Sequence, residues 1–437
     1  MISSKASKIR LMLGFLLLLN IINMIDRTLL ASFGSEIIED LNLTDSQFGL
    51  LTGLVFVFFY SIMGLFMGAL ADRFHRPRLI AIGLVIWSGL TLLSGMAKNF
   101  LQIGLARLFI GVGESAMTPS AISIISDLFP KEQRGTACGI YYLGVPIGAG
   151  ASFIIAGVLG PMIGWRNTFI LLGAIGLVLA LILVFIEDPK RGTMDAGDNV
   201  TYCVNATSSN SVKEIISGVF HILKTSPVVF WGVLGAIFLH VPIGAGQFAI
   251  VWIERERNFE VGEITALYGL VYIVFGTAGT FFGGLLSDLY QKRFKGGRLR
   301  FLAYLMICMI PFTISYRFAD SSSILFYSGM AAGIFSISSF YGPAFSTIQD
   351  NTSVHFRGVM TGVLLVACNL IGLGFGALIT GFLSDLFAHN EVFEPLTKAL
   401  IISDIISIGA PVCFMIASLS YISDSYNGPD WNESLKK

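Results

Sequence analysis

Charged residues are scarce in this chain, and their scarcity excludes an ordinary soluble domain. They make up 13% of the 437 residues, whereas 54% are hydrophobic. Soluble domains contain about 25% charged residues. Lys and Arg number 28, and so do Asp and Glu, which leaves no excess of positive charge to attract nucleic acid. The composition predicts an integral membrane protein that has no nucleic-acid partner.

Motifs for cofactors, metals and covalent chemistry are also missing. The five cysteines are scattered, so they form neither a disulfide framework nor a metal-binding pattern. The chain lacks the Gly-x-x-x-x-Gly-Lys-Ser/Thr phosphate loop, the His-Glu-x-x-His zinc motif and the Gly-x-Ser-x-Gly nucleophile motif. We therefore expect no cofactor, no metal and no enzyme activity.

Long apolar runs follow one another along almost the whole chain. A helix needs about 20 mostly apolar residues to cross a bilayer core of roughly 30 Å. Twelve runs meet this requirement, and they predict an all-α protein with twelve transmembrane helices: about 11–36, 46–71, 79–97, 101–126, 136–160, 166–187, 228–253, 264–289, 299–316, 323–347, 358–387 and 397–422.

A polar segment divides these spans into two similar halves. We predict an N-terminal six-helix bundle at 1–187, a cytoplasmic linker at 188–227 and a C-terminal six-helix bundle at 228–437. Within the linker, residues 212–223 have apolar side chains at helical spacing, which is typical of an amphipathic surface helix, although a disordered linker is the alternative. Span 2 ends in Gly68-Ala-Leu-Ala-Asp72, and span 8 ends in Gly284-Leu-Leu-Ser-Asp288. Such a parallel repeat is a known plan of membrane transporters.

The positions of Lys and Arg predict the orientation of the chain. Most of the 28 basic residues fall in segments that share one side of the membrane with both termini. Because cytoplasmic loops are enriched in basic residues, both termini are predicted to be cytoplasmic, in a multi-pass protein of the cell inner (plasma) membrane.

Several motifs resemble those of the major facilitator superfamily. Gly68-x-x-x-Asp72-Arg73 followed by further arginines is similar to its loop 2–3 motif, and Arg107-x-x-x-Gly111-x-Gly113-Glu114 is similar to its span 4 motif. Met24-Ile-Asp26-Arg27 and the stretch Ser126-Asp127-Leu-Phe-Pro130 resemble the spinster branch, and the short termini fit a bacterial member. The resemblance implies the twelve-helix fold of this family, in which spans 1, 4, 7 and 10 line a central cavity.

The family resemblance also implies a cytoplasmic gate. In the family, the aspartate at the end of span 2 faces the N-terminal end of span 11, whose partial positive charge favours an anion. We therefore assign Asp72, Arg73, Asp127 and Asp288 to the gate, and we expect Arg73 to pair with Asp127. Basic loops on the cytoplasmic side are the alternative explanation for the arginines.

Four ionisable residues fall inside predicted spans, where a charge costs at least roughly 2.5–3.5 kcal/mol. Asp26 and Arg27 lie in span 1, and Arg107 and Glu114 lie in span 4 on one helix face. We expect these four to meet in a wet cavity. Asp26 is the predicted main proton site, with Glu114 and His240 as further proton-coupling groups, whereas Arg27, Arg107 and Glu114 are predicted to bind substrate. A purely structural charge cluster is the alternative, and for His240 a packing role is the alternative.

These observations predict a proton-coupled secondary transporter that works by alternating access. Because the spinster branch includes exporters of sphingosine-1-phosphate and lysophospholipids, the resemblance implies export of an amphipathic lysolipid or sphingolipid-like substrate. A proton symporter of small organic anions such as sugar acids is the alternative, and a transporter-like receptor or membrane enzyme is the alternative from another class. The expected partners are a small amphipathic or anionic substrate, protons and membrane lipids, and we predict a monomer.

Overall fold

The chain is helical throughout the part that the structure describes. The computed structural model describes residues 2–192, 212–294, 296–353 and 356–427. Long apolar runs favour helices here because a helix satisfies all its backbone hydrogen bonds internally. The first nine helices are α1 (Ile2–Ser32), α2 (Gly34–Asp40), α3 (Asp45–Thr52), α4 (Leu54–Arg73), α5 (Arg76–Ser94), α6 (Phe100–Glu114), α7 (Met117–Leu128), α8 (Lys131–Tyr142) and α9 (Gly144–Val184).

Eleven further helices follow the polar segment. A 3₁₀ turn at Gly246–Phe248 and a π-helical stretch at Ala367–Gly374 interrupt two of the later spans. The helices are α10 (Val212–Thr225), α11 (Pro227–Ala245), α12 (Ala249–Arg257), α13 (Val261–Arg293), α14 (Gly297–Ser315), α15 (Ile324–Ser338), α16 (Tyr341–Asp350), α17 (Arg357–Val366), α18 (Phe375–His389), α19 (Pro395–Ser407) and α20 (Gly409–Asn427). Residues 193–211 of the predicted linker lie outside the described residues.

Twelve membrane crossings follow from the helix lengths. Among the described residues, 11 helical segments are long and apolar enough to span a membrane. One of them, Gln133–Val184, has 52 residues. At 1.5 Å per residue it measures about 78 Å, more than twice the roughly 30 Å of a bilayer core. Gly164 breaks it with φ 75° and ψ 165°, a conformation that favours glycine, so this segment provides spans 5 and 6. The predicted all-α architecture with twelve spans is confirmed.

Several spans consist of two helices joined at a break. Span 2 comprises α3 and α4, which meet at Gly53, and span 4 comprises α6 and α7. Span 7 comprises α11 and α12, and span 11 comprises α17, the π-helical stretch and α18. The hydropathy of a continuous apolar run does not show these breaks.

The chain forms two compact units by internal contacts. Unit 1 consists of Met1–Ala206, Gly244–Val274 and Gly374–Ala399, and unit 2 consists of Thr207–Ile243, Phe275–Leu373 and Leu400–Lys437. The buried core of unit 2 includes Val229, Leu302, Phe340 and Phe414. Unit 1 therefore contains the N-terminal half together with segments of spans 7, 8, 11 and 12.

Glycines allow spans 5 and 8 to approach closely within unit 1. A Cβ atom at Gly150 would lie 2.5 Å from the carbonyl oxygen of Gly269, and one at Gly157 would lie 2.5 Å from that of Gly262. Small residues favour such contacts in membranes because the backbones can come together. By contrast, a Cβ at Gly139 would meet no heavy atom within 4 Å.

We expect Gly150→Ala to lower the stability of the protein. Its methyl group would overlap the Gly269 carbonyl, and overpacking typically costs about 1–3 kcal/mol. Thermal unfolding of the detergent-solubilised protein measures this effect. Gly139→Ala is the matched control, and we expect it to be neutral or stabilising by up to about 1 kcal/mol, since alanine favours helix. Equal melting temperatures for the two variants would contradict the close contact of spans 5 and 8.

Candidate functional site

Span 1 is held in a fixed rotation by polar contacts with span 5. The amide of Asn20 donates to the carbonyl oxygen of Tyr141 at 2.8 Å. The hydroxyls of Ser32 and Ser152 lie 3.0 Å apart, and Ser152 also donates to the carbonyl oxygen of Ile25 at 3.0 Å. These contacts determine which way Asp26 and Arg27 point.

Asp26 is buried, and span 3 provides its hydrogen-bond partner. The hydroxyl of Thr91 lies 2.6 Å from one carboxylate oxygen of Asp26. The other carboxylate oxygen is buried without a partner. A small cavity lined by Asp26, Trp87 and Thr91 adjoins this residue. Asp26 is therefore an incompletely satisfied acid within a membrane span.

The two arginines of the predicted site share an aromatic surface. The guanidinium carbon of Arg27 lies 4.8 Å from the ring centre of Phe56 and 4.3 Å from that of Tyr60. The guanidinium of Arg107 lies 5.0 Å from the same Phe56 ring and donates to the backbone carbonyl of Arg27 at 3.1 Å. Aromatic faces attract cations, which helps to stabilise both guanidinium groups away from bulk water.

Glu114 completes the group at the end of α6. It is 1% exposed, and neither of its buried carboxylate oxygens has a hydrogen-bond partner of normal geometry, although the side chain of Asn23 lies close enough to interact with it. Its charge interacts with those of Arg27, Asp26 and Arg107. The structure therefore brings together the four ionisable residues that the sequence places in spans 1 and 4, with a formal net charge of zero.

His240 belongs to unit 2 and has a local packing environment. It is 1% exposed, and its Nδ1 atom lies 2.8 Å from the carbonyl oxygen of Ala236. Its ring packs against Phe340 and Tyr341, and the Tyr341 hydroxyl lies 3.4 Å from Nε2. These contacts fit the packing role, and proton coupling through His240 stays a prediction.

Among the gate residues, Asp127 has a different partner from the one expected. Asp127 forms its ion pair with Arg76, whereas Arg73 is exposed at the end of α4. The expected Arg73–Asp127 pair does not form in this structure, because Arg76 occupies the carboxylate of Asp127. Arg76 begins α5 with its side chain fully buried, and it also donates to Asp188 at 2.8 Å.

The two aspartates of the repeated motif have different surroundings. Asp72 is exposed, and its backbone carbonyl accepts a hydrogen bond from Arg191. Arg191 also donates to the carbonyl oxygens of Ala71 and Phe74, so it caps the C-terminal end of α4. In unit 2, Asp288 accepts a hydrogen bond from Arg298 at 2.6 Å.

Sequence reasoning missed several residues that contact these groups. Thr91 gave no signal because a threonine in an apolar span is common, and its contact with Asp26 depends on how spans 1 and 3 pack. Arg76 lies in the arginine-rich loop after span 2, where basic residues are expected on the cytoplasmic side in any case, and Arg191 lies in a linker without a periodic pattern. A charged residue directly beside a predicted helix end was the available signal for both arginines.

Comparisons with known proteins give the family of the chain. Residues 16–377 match the model of the Major Facilitator Superfamily. An MFS-type efflux pump of Mycolicibacterium smegmatis is 24% identical, over 94% of this chain and 93% of the pump. A probable L-galactonate transporter of Escherichia coli is 26% identical, over 84% of this chain and 81% of its own length.

Spinster proteins are also similar to this chain. The sphingosine-1-phosphate transporter SPNS2 of Danio rerio is 28% identical over 61% of this chain, which spans only 56% of that longer protein. A crystal structure of a bacterial homologue of the human lysosomal transporter spinster, inward-facing and unoccupied, has a TM-score of 0.81 and 26% identity. It covers 95% of this chain and 98% of its own.

The matched region covers most of the chain, and the helical fold agrees with it. The chain therefore belongs to the major facilitator superfamily of membrane transporters, with spinster proteins among its relatives.

Proposed function

We propose that this protein is a proton-coupled secondary transporter that exports an amphipathic lysolipid or sphingolipid-like molecule by alternating access. One observation carries the proposal: Asp26 and Glu114 are buried beside two arginines and keep carboxylate oxygens without a hydrogen-bond partner. A buried polar group without a partner is costly. Such groups persist where a proton or a ligand satisfies them during function.

The charge balance of the four residues provides the coupling. With both acids ionised, Arg27 and Arg107 are neutralised internally. A proton on Asp26 removes one negative charge and weakens the attraction of this carboxyl group for the arginines, so protonation and the conformation of the site are coupled. Because export requires the proton and the substrate to move in opposite directions, we propose that Asp26 takes up its proton on the external side after the substrate has left, and loses it on the cytoplasmic side before the next substrate binds. Asp26 is the proposed main proton site, Arg27 and Arg107 are the proposed headgroup ligands, and Glu114 competes with the substrate for the arginines.

The surroundings of the arginines support an amphipathic substrate. Arg27 and Arg107 lie over the rings of Phe56 and Tyr60, so a cationic surface and an apolar surface adjoin each other. A lysolipid has an anionic headgroup joined to an apolar chain, and guanidinium groups suit phosphate. The similarity to a sphingosine-1-phosphate transporter supports the same substrate class.

A transporter of small sugar acids is the second candidate. The similarity to a probable L-galactonate transporter favours it, because a sugar-acid carboxylate would also pair with Arg27 and Arg107. Under this reading the protein would take up a small organic anion together with protons, and the aromatic rings would only stabilise the arginines.

The gate assignment is also part of the proposal. Asp72, Asp127 and Asp288 mark the cytoplasmic ends of spans 2, 4 and 8 on the predicted orientation. In this structure Asp127 is bound to Arg76, and Asp288 to Arg298. Asp72 is exposed and available to a partner in the opposite state, and Arg73 next to it is free to exchange partners.

We expect Asp26→Asn to abolish proton-driven transport. Asparagine keeps an oxygen that can accept the Thr91 hydrogen bond but cannot gain or lose a proton. Accumulation of a fluorescent lysophospholipid under a pH gradient in proteoliposomes should fall to the level of protein-free liposomes, whereas downhill exchange should continue. Asp320→Asn, at an exposed aspartate, is the matched control and should behave as the wild type. Unchanged pH-driven accumulation in Asp26→Asn would remove Asp26 as the proton site.

We expect Arg107→Lys to weaken the binding of the substrate while the fold is retained. Lysine keeps the charge but loses the planar pair of donors that suits phosphate. Hydrogen bonds to charged groups contribute about 1.5–3 kcal/mol. Affinity for a lysophospholipid should therefore fall by about tenfold or more in a binding titration.

Two comparisons complete the titration. Arg78→Lys, at an exposed arginine, is the matched control and should bind as the wild type. The same titration with L-galactonate separates the two candidate functions. Wild-type binding of L-galactonate, without binding of the lysophospholipid, would favour the sugar-acid reading and overturn the lipid proposal.

A further inference from the structure

A third copy of the repeated aspartate motif lies at the end of span 11. The stretch Gly381-Phe-Leu-Ser-Asp385 has the same pattern as Gly68-Ala-Leu-Ala-Asp72 and Gly284-Leu-Leu-Ser-Asp288: glycine, two further residues, a small residue and aspartate. It lies near the C-terminal end of α18, which is on the external side in the predicted orientation. The other two copies lie near the C-terminal ends of spans 2 and 8, on the cytoplasmic side.

The carboxylate of Asp385 caps the N-terminal end of span 2. Its two oxygens accept hydrogen bonds from the backbone N–H of Asp45 at 3.0 Å and of Ser46 at 2.8 Å. The hydroxyl of Ser46 donates to the same carboxylate. An anion at this position is stabilised by the partial positive charge of the helix N-terminus.

Asp385 accepts hydrogen bonds from the backbone N–H groups of α3 that have no partner within their own helix. The first four N–H groups of a helix have no partner within the helix. Thr44 and Gln47 form a capping box, so the N–H of Gln47 is satisfied by the Thr44 hydroxyl. The two donors left over by this local cap, at Asp45 and Ser46, are the ones that Asp385 accepts. Span 2 therefore depends on span 11 to complete its first turn.

The backbones of spans 2 and 11 are in direct contact beside this cap. A Cβ at Gly49 would lie 2.4 Å from the carbonyl oxygen of Ala377, and one at Gly53 would lie 2.7 Å from that of Gly374. A Cβ at Gly381 would lie 2.2 Å from the carbonyl oxygen of Asp45. This contact runs along two turns and ends one turn before Asp385.

A second acid at this place, Asp45 at the start of α3, binds residues of spans 11 and 7. The carboxylate of Asp45 is 6% exposed as a residue and accepts hydrogen bonds from the Ser384 hydroxyl at 2.6 Å and from Arg255 at 2.7 Å. Arg255 thus places a cation in direct contact with the carboxylate of Asp45. The arrangement joins three spans through two backbone N–H groups, two hydroxyls and one guanidinium.

We propose that Asp385 is a positioning residue of the transport cycle, whose bonds to the first turn of span 2 hold the external ends of spans 2 and 11 together. This inference rests on the proposed alternating-access function. We call these bonds between Asp385 and the first turn of span 2 the lock. The lock forms while the transporter is open to the cytoplasm. It breaks when the external side opens, and the N–H groups of Asp45 and Ser46 then donate to water. In the gate proposed for Asp72, a carboxylate at the end of span 2 faces the N-terminal end of span 11. In the lock, a carboxylate at the end of span 11 faces the N-terminal end of span 2.

Distance measurements between two spin labels test the lock without substrate or proton gradient. The labels are placed at Glu39→Cys and His389→Cys, both exposed, in the full-length chain with its native cysteines replaced by serine. Asparagine at position 385 presents an NH2 group in place of one acceptor oxygen, so one of the two backbone hydrogen bonds is lost, and loss of one hydrogen bond shifts an equilibrium by roughly fivefold. Asp385→Asn should therefore raise the population with long label distances about fivefold. Ser46→Ala removes one bond of the same carboxylate and should shift the population in the same direction by less.

The control and the opposing outcomes separate the lock from the transport function. Asp320→Asn makes the same chemical change at an exposed site and should leave the distances unchanged. If Asp385→Asn and Ser46→Ala lower thermal stability but leave the label distances unchanged, Asp385 is only structural and the proposal is overturned. Because the distances require no transport, the lock would stand even if Asp26→Asn retained proton coupling, and that result would remove the proposed function alone.

Discussion

The cost of holding charge among apolar helices is the constraint on which this structure depends. Asp26, Arg107 and Glu114 are nearly inaccessible to solvent, and each charge would cost at least roughly 2.5–3.5 kcal/mol alone in a membrane span. Their charges, with that of Arg27, sum to zero. The packing of spans 1, 3 and 4 follows from this balance, because each span must bring its polar group to the others. Asp26 and Glu114 each keep a carboxylate oxygen without a hydrogen-bond partner, so a bound proton or anion would change the net charge of this group of four residues.

The same electrostatic rule governs the two ends of span 2. At its N-terminal end the anionic Asp385 accepts from free backbone N–H groups, and at its C-terminal end the cationic Arg191 donates to free carbonyl oxygens. Both contacts oppose the partial charge of the helix terminus. Both partners come from other segments of unit 1. Span 2 thus has an ionic partner from another segment of the chain at each end.

Much of the fold and part of the site could be predicted from the sequence. Hydropathy and length predict the twelve spans, since the bilayer sets both quantities. The meeting of Asp26 with Glu114 could also be predicted, because a charge within a span must find a partner inside the protein. Thr91 could not, because one hydroxyl in an apolar helix has no distinctive pattern. The break at Gly164 and the division into two units depend on tertiary contacts that hydropathy does not record.

The three copies of the glycine–aspartate motif show why local sequence cannot assign a gate. Asp72 is exposed, Asp288 accepts a hydrogen bond from Arg298, and Asp385 caps a helix, although the preceding residues are nearly the same. The motif supplies a carboxylate at the last turns of a helix and a small residue that permits close approach. What the carboxylate binds depends on which neighbour presents unsatisfied donors there. In the described chain, the first turn of span 2 provides that partner for Asp385, because its capping box leaves two N–H groups without a partner within the helix. The repeated motif does not indicate which other helix has such unsatisfied N–H groups.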